Sequence, residues 1–225
     1  MDGHTLRVVA RIESDFSEKF GIPRQSGLVP ELRARVVFEP EFRNPDALRG
    51  IEGFSHLWLI WQFSGNLRDD WSPTVRPPRL GGNTRMGVFA TRSPFRPNPL
   101  GLSCVKLEAV DWDAPALLVS GADLMDGTPI YDVKPYVPYA DAHPDALGGF
   151  ASTQAETIAV DFPPELLARV PETQRAALTG VLAQDPRPRY QDDPERVYGM
   201  SFGTLTVRFR VADGVLAVVE VAPTE

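Results

Sequence analysis

The segment from Trp71 to Leu107 places the strongest limit on how this chain can fold. Its 37 residues include six prolines and four glycines. Each proline fixes φ and removes a backbone hydrogen-bond donor, while glycine permits tight turns. The segment therefore cannot form a helix, and we predict strands only where proline is absent, at Met86–Thr91 and Gly101–Val110. The other residues of the segment are predicted to form rigid loops.

The same segment is basic, although the chain as a whole is acidic. It holds five arginines and Lys106 but no Asp or Glu, whereas the whole chain has a net charge of −7. The rest of the chain therefore carries 17 basic and 30 acidic residues. This contrast indicates a local positive surface that binds phosphate or carboxylate groups. Solvated arginines that pair with distant carboxylates are the alternative, and the lack of any local acid favours binding.

Further short apolar runs predict additional strands in the first part of the chain. They lie at Leu6–Ile12, Leu32–Phe38, His56–Phe63, Ala116–Gly121 and Ile130–Val133. An N-capped helical turn is predicted at Asn44–Gly50. No stretch before about residue 140 keeps a helical period over three turns. Many short strands at close spacing favour a mainly β fold, either a sandwich or a closed barrel.

The chain changes character after residue 140. Residues 141–155 are small and polar and are predicted to be a linker between a β core (1–140) and a small C-terminal α+β domain (156–225). In that domain we predict a strand, then a helix, and finally a hairpin whose type I′ turn is at Asp213-Gly214. The predicted ranges are Thr157–Phe162, Pro163–Gln184, Leu205–Val211 and Val215–Val221.

Composition excludes several classes of function. One cysteine, Cys104, allows no internal disulfide, which is typical of a cytoplasmic protein. No apolar run reaches the roughly 20 residues of a membrane span. The three histidines are scattered and no Cys-x-x-Cys pair occurs, so the sequence predicts no metal site. Cys104 is a small core residue or, alternatively, a nucleophile paired with a distant histidine. Neither the dinucleotide-binding nor the P-loop glycine pattern occurs.

A second cluster of chemically active residues follows the basic segment. Three carboxylates, a lysine and a tyrosine occur within 14 residues, at Asp123, Asp126, Asp132, Lys134 and Tyr136. Such a cluster is typical of a pocket that handles protons or binds a cationic ligand. Asp126-Gly127-Thr128-Pro129 is also good turn chemistry, and for Asp126 alone a turn role is the favoured interpretation. Asp132 and Lys134 share a strand face and form either a structural or a catalytic pair.

A third cluster ends the predicted C-terminal helix. Its proline-fixed loop presents Asp185, Arg187 and Arg189. The loop terminates the helix, and its arginines extend the basic surface if the C-terminal domain folds back on the core.

Together these clusters resemble the TrmO family, also called TsaA-like or YaeB-like. The resemblance rests on FSHLW, RPPRLGGN, MGVFATRSPFRPNPLGLS, DLMDGTPIYDVKPYVPYA and VLAQDPRP, which begin at residues 54, 76, 86, 123 and 181. It implies a homodimeric, S-adenosylmethionine-dependent tRNA methyltransferase. The implied substrate is the exocyclic N6 amine of N6-threonylcarbamoyladenosine, beside the anticodon of a threonine tRNA. The implied fold is a closed β-barrel core domain with a small C-terminal α+β domain.

The resemblance also assigns site residues. The cofactor-binding set is Gln25, Ser26, Gly27, Leu28, Ser64, Gly65, Arg92, Leu102, Asp123, Leu124, Met125 and Asp126. Within it, Asp123 and Asp126 serve the cationic groups or ribose hydroxyls of the cofactor, and Arg92 serves its carboxylate. Ser26 and Ser64 stand where close relatives are expected to carry Pro and His.

Roles for the remaining polar residues follow from the chemistry of methyl transfer to RNA. Asp126 or Tyr136 is the candidate base that accepts the proton of the attacking amine. Phosphates of the anticodon stem-loop are assigned to Arg76, Arg79, Arg85, Arg96, Arg187 and Arg189. Two alternatives remain: a noncatalytic RNA-binding β-barrel protein, and a methyltransferase of the same fold that acts on a different substrate.

Overall fold

The computed structural model describes residues 5–66, 70–188 and 193–224. Six antiparallel strands close a barrel in the order β1-β2-β7-β6-β3-β8, with β8 returning to β1. A four-stranded sheet follows, in the order β10-β11-β12-β9, with β9 parallel to β12. The strands and helices in chain order are β1 (Ala10–Glu13), β2 (Arg33–Phe38), β3 (His56–Gln62), β4 (Thr74–Val75), β5 (Met86–Gly87), β6 (Leu100–Asp111), β7 (Ala116–Ser120), β8 (Pro129–Pro135), α1 (Pro138–Asp141), β9 (Ala159–Asp161), α2 (Pro164–Leu167), α3 (Glu172–Ala183), β10 (Tyr198–Phe202), β11 (Leu205–Ala212) and β12 (Val215–Pro223).

The barrel confirms the predicted fold class. Its core is built by strict alternation, which β3 shows most clearly: Leu57, Leu59 and Trp61 point inward and are at most 7% exposed. Period-two alternation sends successive side chains to opposite faces of a strand. The 3₁₀ turns that connect the strands are Pro40–Phe42, Pro45–Leu48, Ile51–Gly53, Ser64–Asn66, Pro78–Leu80 and Val88–Ala90, with Gly149–Ala151 after the barrel.

Strand β6 corrects the prediction that Cys104 is a core residue. Leu102 is 53% exposed and Cys104 is half-buried, so both face outward, while Ser103 and Val105 are the buried residues. The apolar pattern assigned the wrong face because the inward face of β6 carries a polar residue. Ser103 can be buried there because its hydroxyl both accepts and donates a hydrogen bond.

The basic segment forms less regular structure than predicted. Only Met86 and Gly87 of the predicted strand pair with another strand, β4, and Val88–Ala90 turn as a 3₁₀ helix. The backbone N–H of Val88 donates to the Pro73 carbonyl at 2.9 Å, which ties the two ends of this loop together. The loop from Pro73 to Val88 is therefore closed by one short strand pair and this backbone hydrogen bond.

The strands and the hairpin predicted in the C-terminal domain form as β9, β11 and β12, whereas the helix and one further strand differ from the prediction. Asp213 (φ 50°) and Gly214 (φ 75°) form the predicted hairpin turn between β11 and β12. The predicted single helix is broken at Pro171, which lies immediately before α3 and has no N–H to continue a helix. Strand β10 was not predicted. No helix in the described ranges is long and apolar enough to cross a membrane.

Candidate functional site

A cavity of about 670 Å³ opens at the edge of the barrel where β3 ends and β6 begins. Its apolar walls include Trp61, Phe63, Leu102 and Met125. Its polar walls carry both signs of charge, and among the described lining residues Asp123 is the one carboxylate. The polar lining residues are Lys19, Arg24, Gln25, Gln62, Ser64, Arg92, Arg96, Asn98, Asp123 and Thr128.

Asp123 is held by a short chain of two hydrogen bonds, one buried and one partly buried. Trp61 Nε1 donates to Ser103 Oγ at 2.9 Å, and Ser103 Oγ donates to Asp123 Oδ1 at 2.5 Å. Desolvation raises the pKa of Asp123, and the Ser103 hydroxyl and the charge of Arg92 only partly oppose this rise. The site therefore contains a carboxylate that gains from a positively charged or hydroxylic ligand.

Gly101 makes this hydrogen-bond chain possible. A Cβ atom at this position would lie 2.3 Å from Trp61 Cε2, far inside contact distance. The indole therefore packs directly on the backbone of β6, where its N–H reaches the neighbouring serine.

The loop at residues 25–27 closes one side of the cavity. Ser26 Oγ accepts from the Cys104 N–H at 3.1 Å, and the Ser26 N–H donates to Asp123. Gly27 (φ 77°) donates from its N–H to the Gly121 carbonyl at 2.8 Å. Backbone and side-chain bonds thus fix this loop against both β6 and the segment that carries Asp123.

Arg92 reaches across the cavity to the same loop. Its Nη1 donates to Gln25 Oε1, and its charge acts on Asp123. On the other side, Lys19 Nζ donates to the Gly65 carbonyl. The arrangement brings cationic groups and a carboxylate to one cavity, as a zwitterionic ligand requires.

A larger groove, of about 1660 Å³, runs beside the cavity. Arg76, Arg79 and Arg85 line one wall, and Gln184, Asp185 and Pro186 after α3 line another. Arg79 Nη2 donates to Thr153 Oγ1 at 3.2 Å, which joins the basic segment to the residues after the barrel. Residues 141–155 therefore contact the basic loops, and residues after α3 line the same groove. Phe89 and Arg92 line both the cavity and the groove.

The cavity brings together many of the residues predicted for the cofactor. Gln25, Ser64, Gly65, Arg92, Leu102, Asp123 and Met125 line it. Ser26 and Gly27 contact its walls as described above. Leu28 lines the groove instead, and Leu124 is 1% exposed in the barrel core.

The two predicted catalytic residues lie elsewhere. In the described part of the chain, Asp126 and Tyr136 line neither the cavity nor the groove. Asp126 Oδ1 accepts from the Ser14 N–H at 3.0 Å, and Tyr136 packs against the rings of His56 and Trp58. The Asp126 carboxylate thus contacts the segment after β1, 112 positions away in sequence, and the catalytic assignment of both residues stays a prediction.

The predicted RNA-binding arginines divide between several places. Arg76, Arg79 and Arg85 line the groove, whereas Arg96 lines the cavity and donates to the Thr91 carbonyl at 3.1 Å. Arg187 forms a bidentate pair with Asp185 at 2.8 and 2.9 Å. Arg189 lies outside the described residues. The predicted pair of Asp132 and Lys134 forms at 2.8 Å on the surface, away from the cavity.

The sequence analysis did not assign several residues of the site: Lys19, Trp61 and Phe89 line the cavity, and Ser103 donates a hydrogen bond to Asp123. Lys19 is distant in sequence from every motif, so nothing marked it. A serine inside a strand of apolar residues was an available signal for Ser103, because a buried hydroxyl needs partners.

Comparison with known families identifies the architecture. Residues 11–142 match the tRNA-methyltransferase O N-terminal domain, and residues 155–224 match the TrmO C-terminal domain. The chain belongs to the TrmO family. This result confirms the resemblance that the sequence motifs indicated.

Individual TrmO relatives cover nearly the whole chain. A tRNA (adenine(37)-N6)-methyltransferase of Escherichia coli strain K12 is 41% identical over 234 residues, covering 99% of this chain and 100% of the relative. A putative S-adenosylmethionine-dependent methyltransferase of Pseudomonas aeruginosa is 44% identical over 214 residues, covering 92% of each. The crystal structure of TrmO from Pseudomonas aeruginosa superposes with a TM-score of 0.82 at 35% identity, covering 98% of this chain and 99% of that one.

Proposed function

We propose that this protein transfers a methyl group from S-adenosylmethionine to the N6 amine of adenosine 37 in a tRNA. The observation that carries the proposal is the junction of cavity and groove. A cavity with Asp123 and Arg92 on its walls opens, through Arg92 and Phe89, into a groove lined by arginines. A methyl donor and an RNA strand would meet at that junction.

The residues present fit the proposed cofactor. S-adenosylmethionine carries a carboxylate, an ammonium and a sulfonium, and Arg92 and Asp123 supply the complementary charges. The apolar walls at Phe63, Leu102 and Met125 suit its uncharged parts. The cavity volume of about 670 Å³ lies within the range of roughly 300–1,000 Å³ found for small-molecule sites.

The residues of the chain bind and orient. Arg92 would bind the cofactor carboxylate, while Asp123 would accept hydrogen bonds from its ammonium or ribose hydroxyls. When bound, the cofactor supplies an electrophilic methyl group on a good leaving group. The exocyclic amine is a weak nucleophile, so fixed positioning must supply much of the rate. Asp126 or Tyr136 remains our candidate for the group that accepts the amine proton.

The finer substrate assignment is also part of the proposal. We infer that the methylated nitrogen belongs to N6-threonylcarbamoyladenosine in a threonine tRNA, with Arg76, Arg79 and Arg85 holding phosphates of the anticodon stem-loop. We further propose a cytoplasmic homodimer in which residues 1–140 form the methyltransferase domain, 141–155 the linker and 156–225 the small second domain.

Methyl transfer to defined RNAs tests the proposal. Purified protein with methyl-labelled S-adenosylmethionine should label threonine tRNA that carries the threonylcarbamoyl group, and it should leave the same transcript without that group unlabelled. Titration calorimetry with the cofactor runs in parallel. If the protein binds RNA but releases no heat on titration with S-adenosylmethionine, it is a noncatalytic RNA-binding barrel. Labelling of another RNA instead would retain the methyltransferase and overturn the substrate assignment.

A further inference from the structure

An exposed aromatic ring stands where the cavity meets the groove. Phe89 is 73% exposed, although the preceding residue, Val88, is 1% exposed. The backbone beneath the ring is fixed: the Val88 N–H donates to the Pro73 carbonyl at 2.9 Å, and Thr91 Oγ1 donates to the Val88 carbonyl at 2.9 Å. A buried anchor therefore holds a large apolar side chain in solvent.

Two neighbouring side chains lie next to this ring. Trp71, itself 51% exposed, lies 6.3 Å away between ring centroids, with its plane tilted by 30°. The guanidinium carbon of Arg96 lies 5.9 Å from the centroid of the Phe89 ring. Arg96 is oriented by its hydrogen bond to the Thr91 carbonyl at 3.1 Å. Aromatic faces next to a guanidinium are the surfaces on which unpaired bases stack.

The charge around this surface defines the ligand that would reach it. Arg76 and Arg85 line the same groove as Phe89, and Arg92 lines both the groove and the cavity. The arginines attract an anionic ligand to this groove. A ligand group that covers the Phe89 ring must in addition be flat, with apolar faces. A single-stranded polynucleotide combines both properties.

We propose that Phe89, with Trp71 beside it and Arg96 near its face, is a stacking platform for an unpaired base of the RNA substrate. The platform is assigned to a base adjacent to the methylated adenosine, because Phe89 lies at the mouth of the cavity. A cofactor wall is the competing role, because Phe89 also lines the cavity, and the cofactor affinity of Phe89→Ala decides between the two roles. The assignment rests on the proposed RNA substrate.

The test uses anticodon stem-loops that carry 2-aminopurine at each position flanking residue 37. Stacking quenches 2-aminopurine fluorescence, so binding to the wild-type protein should quench one of these probes. Phe89→Ala should remove the quench and weaken stem-loop binding by roughly five- to 100-fold. Phe89→Trp should restore both, since it retains an aromatic face.

Two controls separate the platform from other roles. Trp112→Ala removes an exposed aromatic side chain that is not among the described residues lining the cavity or the groove. This variant should leave the 2-aminopurine quench and the stem-loop affinity unchanged. Cofactor affinity, measured by calorimetry, should be unchanged in Phe89→Ala. An unaltered quench in Phe89→Ala, or a loss of cofactor affinity, would overturn the platform. Quenching by a wild-type protein that transfers no methyl group would support the platform and reject the proposed function.

Discussion

At the scale of single residues, the site depends on the hydrogen bonds and charges that stabilise the carboxylate form of Asp123 inside a partly buried cavity. Desolvation raises the pKa of this carboxyl, and each bond donated to it lowers the cost of the charge. Ser103 Oγ donates to this carboxylate at 2.5 Å, and its hydroxyl is itself oriented by the indole N–H of Trp61. Ser103 is therefore a positioning residue for Asp123.

Ser103→Ala should weaken binding of S-adenosylmethionine and make it more sensitive to acid. The substitution removes the hydroxyl donor, so the pKa of Asp123 rises further. Binding needs the carboxylate form and is lost as pH falls through that pKa, so the midpoint of the loss should move to higher pH. We expect a drop in affinity of about tenfold near neutral pH, from the loss of a hydrogen bond to a charged group. Calorimetry at a series of pH values, from neutral down to the ordinary carboxyl pKa of 3.8, measures both effects.

Ser120→Ala is the matched control for this prediction. Ser120 is also a buried serine of the barrel, and it donates to a different carboxylate, Glu108, at 2.7 Å. Its loss should leave cofactor affinity and the acid midpoint unchanged. Equal affinity and an equal midpoint in Ser103→Ala would contradict the positioning role.

The sequence motifs contained residues that line one cavity, but they did not show which side chains packing turns inward. Asp123 and Arg92 were predicted and line one cavity. The direction of Ser103 was not predicted, because the apolar residues on either side of it, Leu102 and Cys104, turned out to be the outward ones. The Ser103 hydroxyl can point inward because the indole N–H of Trp61, 42 positions away in sequence, donates to it.

At the scale of secondary-structure elements, one glutamate joins three barrel strands. Glu108 sits at a register shift in β6, between Leu107 and Ala109, and its carboxylate reaches β2 and β7. It contacts Arg33 at 2.9 Å, Lys106 at 3.1 Å and the Ser120 hydroxyl at 2.7 Å. These contacts explain why Lys106, counted in the basic segment, is not part of the groove. The Ser120 hydroxyl and then the lysine lower the pKa of Glu108 to about 2.

Glu108→Gln should destabilise the barrel in a pH-dependent way. The folded-state pKa lies below the ordinary value of 4.5, so the stabilisation is present above about pH 4.5 and is lost as pH falls towards about 2. We expect a loss of about 1 kcal/mol in the free energy of unfolding near neutral pH, since solvent screens this partly exposed cluster. The difference from wild type should shrink on acidification. Urea unfolding at several pH values measures it.

The comparison variant is Glu41→Gln. Glu41 pairs with Arg7 on the surface, where its side chain is 63% exposed, and surface pairs contribute little. This variant should unfold like the wild type at every pH. A Glu108→Gln penalty that stays constant from neutral to acidic pH would assign the effect to packing rather than to charge.

Strands were predicted correctly where they depend on local sequence, and they were missed where they depend on pairing with a distant segment. β2, β3 and β7 were predicted within about two residues, because alternation and apolar content are local properties. β10 was missed, since Tyr198–Phe202 contains a glycine and a serine and becomes a strand by pairing with β11. The strand predicted at Met86–Thr91 shortened because the Val88 N–H bonds to a loop carbonyl.

At the scale of the whole molecule, the segment before β2 belongs to the core of the C-terminal sheet. Phe16, Val29 and Leu32 are buried in one cluster with residues of α3 and β10–β12, including Leu178 and Phe209. Polar contacts follow the same path: Gln174 Nε2 donates to Asp15 Oδ1 at 2.8 Å. The loop at residues 25–27, which closes the cavity, is therefore anchored by the C-terminal domain. Sequence patterns could not predict this, because each contact joins residues more than a hundred positions apart.

Gly180 on α3 offers a way to test this anchoring. A Cβ at Gly180 would lie 2.7 Å from Val29 Cγ1, and Val29 is 2% exposed. Gly180→Val should push on Val29 and destabilise the protein by about 1–3 kcal/mol, as overpacking does. Val29 follows the loop at residues 25–27, so a shift of Val29 should also displace this loop and weaken cofactor binding several-fold. Gly180 itself is not among the described residues that line the cavity. Urea unfolding and calorimetry with S-adenosylmethionine measure the two effects.

Ala176→Val separates anchoring from helix stability. It adds the same β-branched side chain to α3 at an exposed position, where the helix-propensity cost is about 0.5 kcal/mol and nothing is pushed. If the second domain positions the cavity loop, only Gly180→Val changes cofactor affinity. Equal affinity in both variants, with Gly180→Val the less stable, would show that the C-terminal domain stabilises the fold without shaping the site.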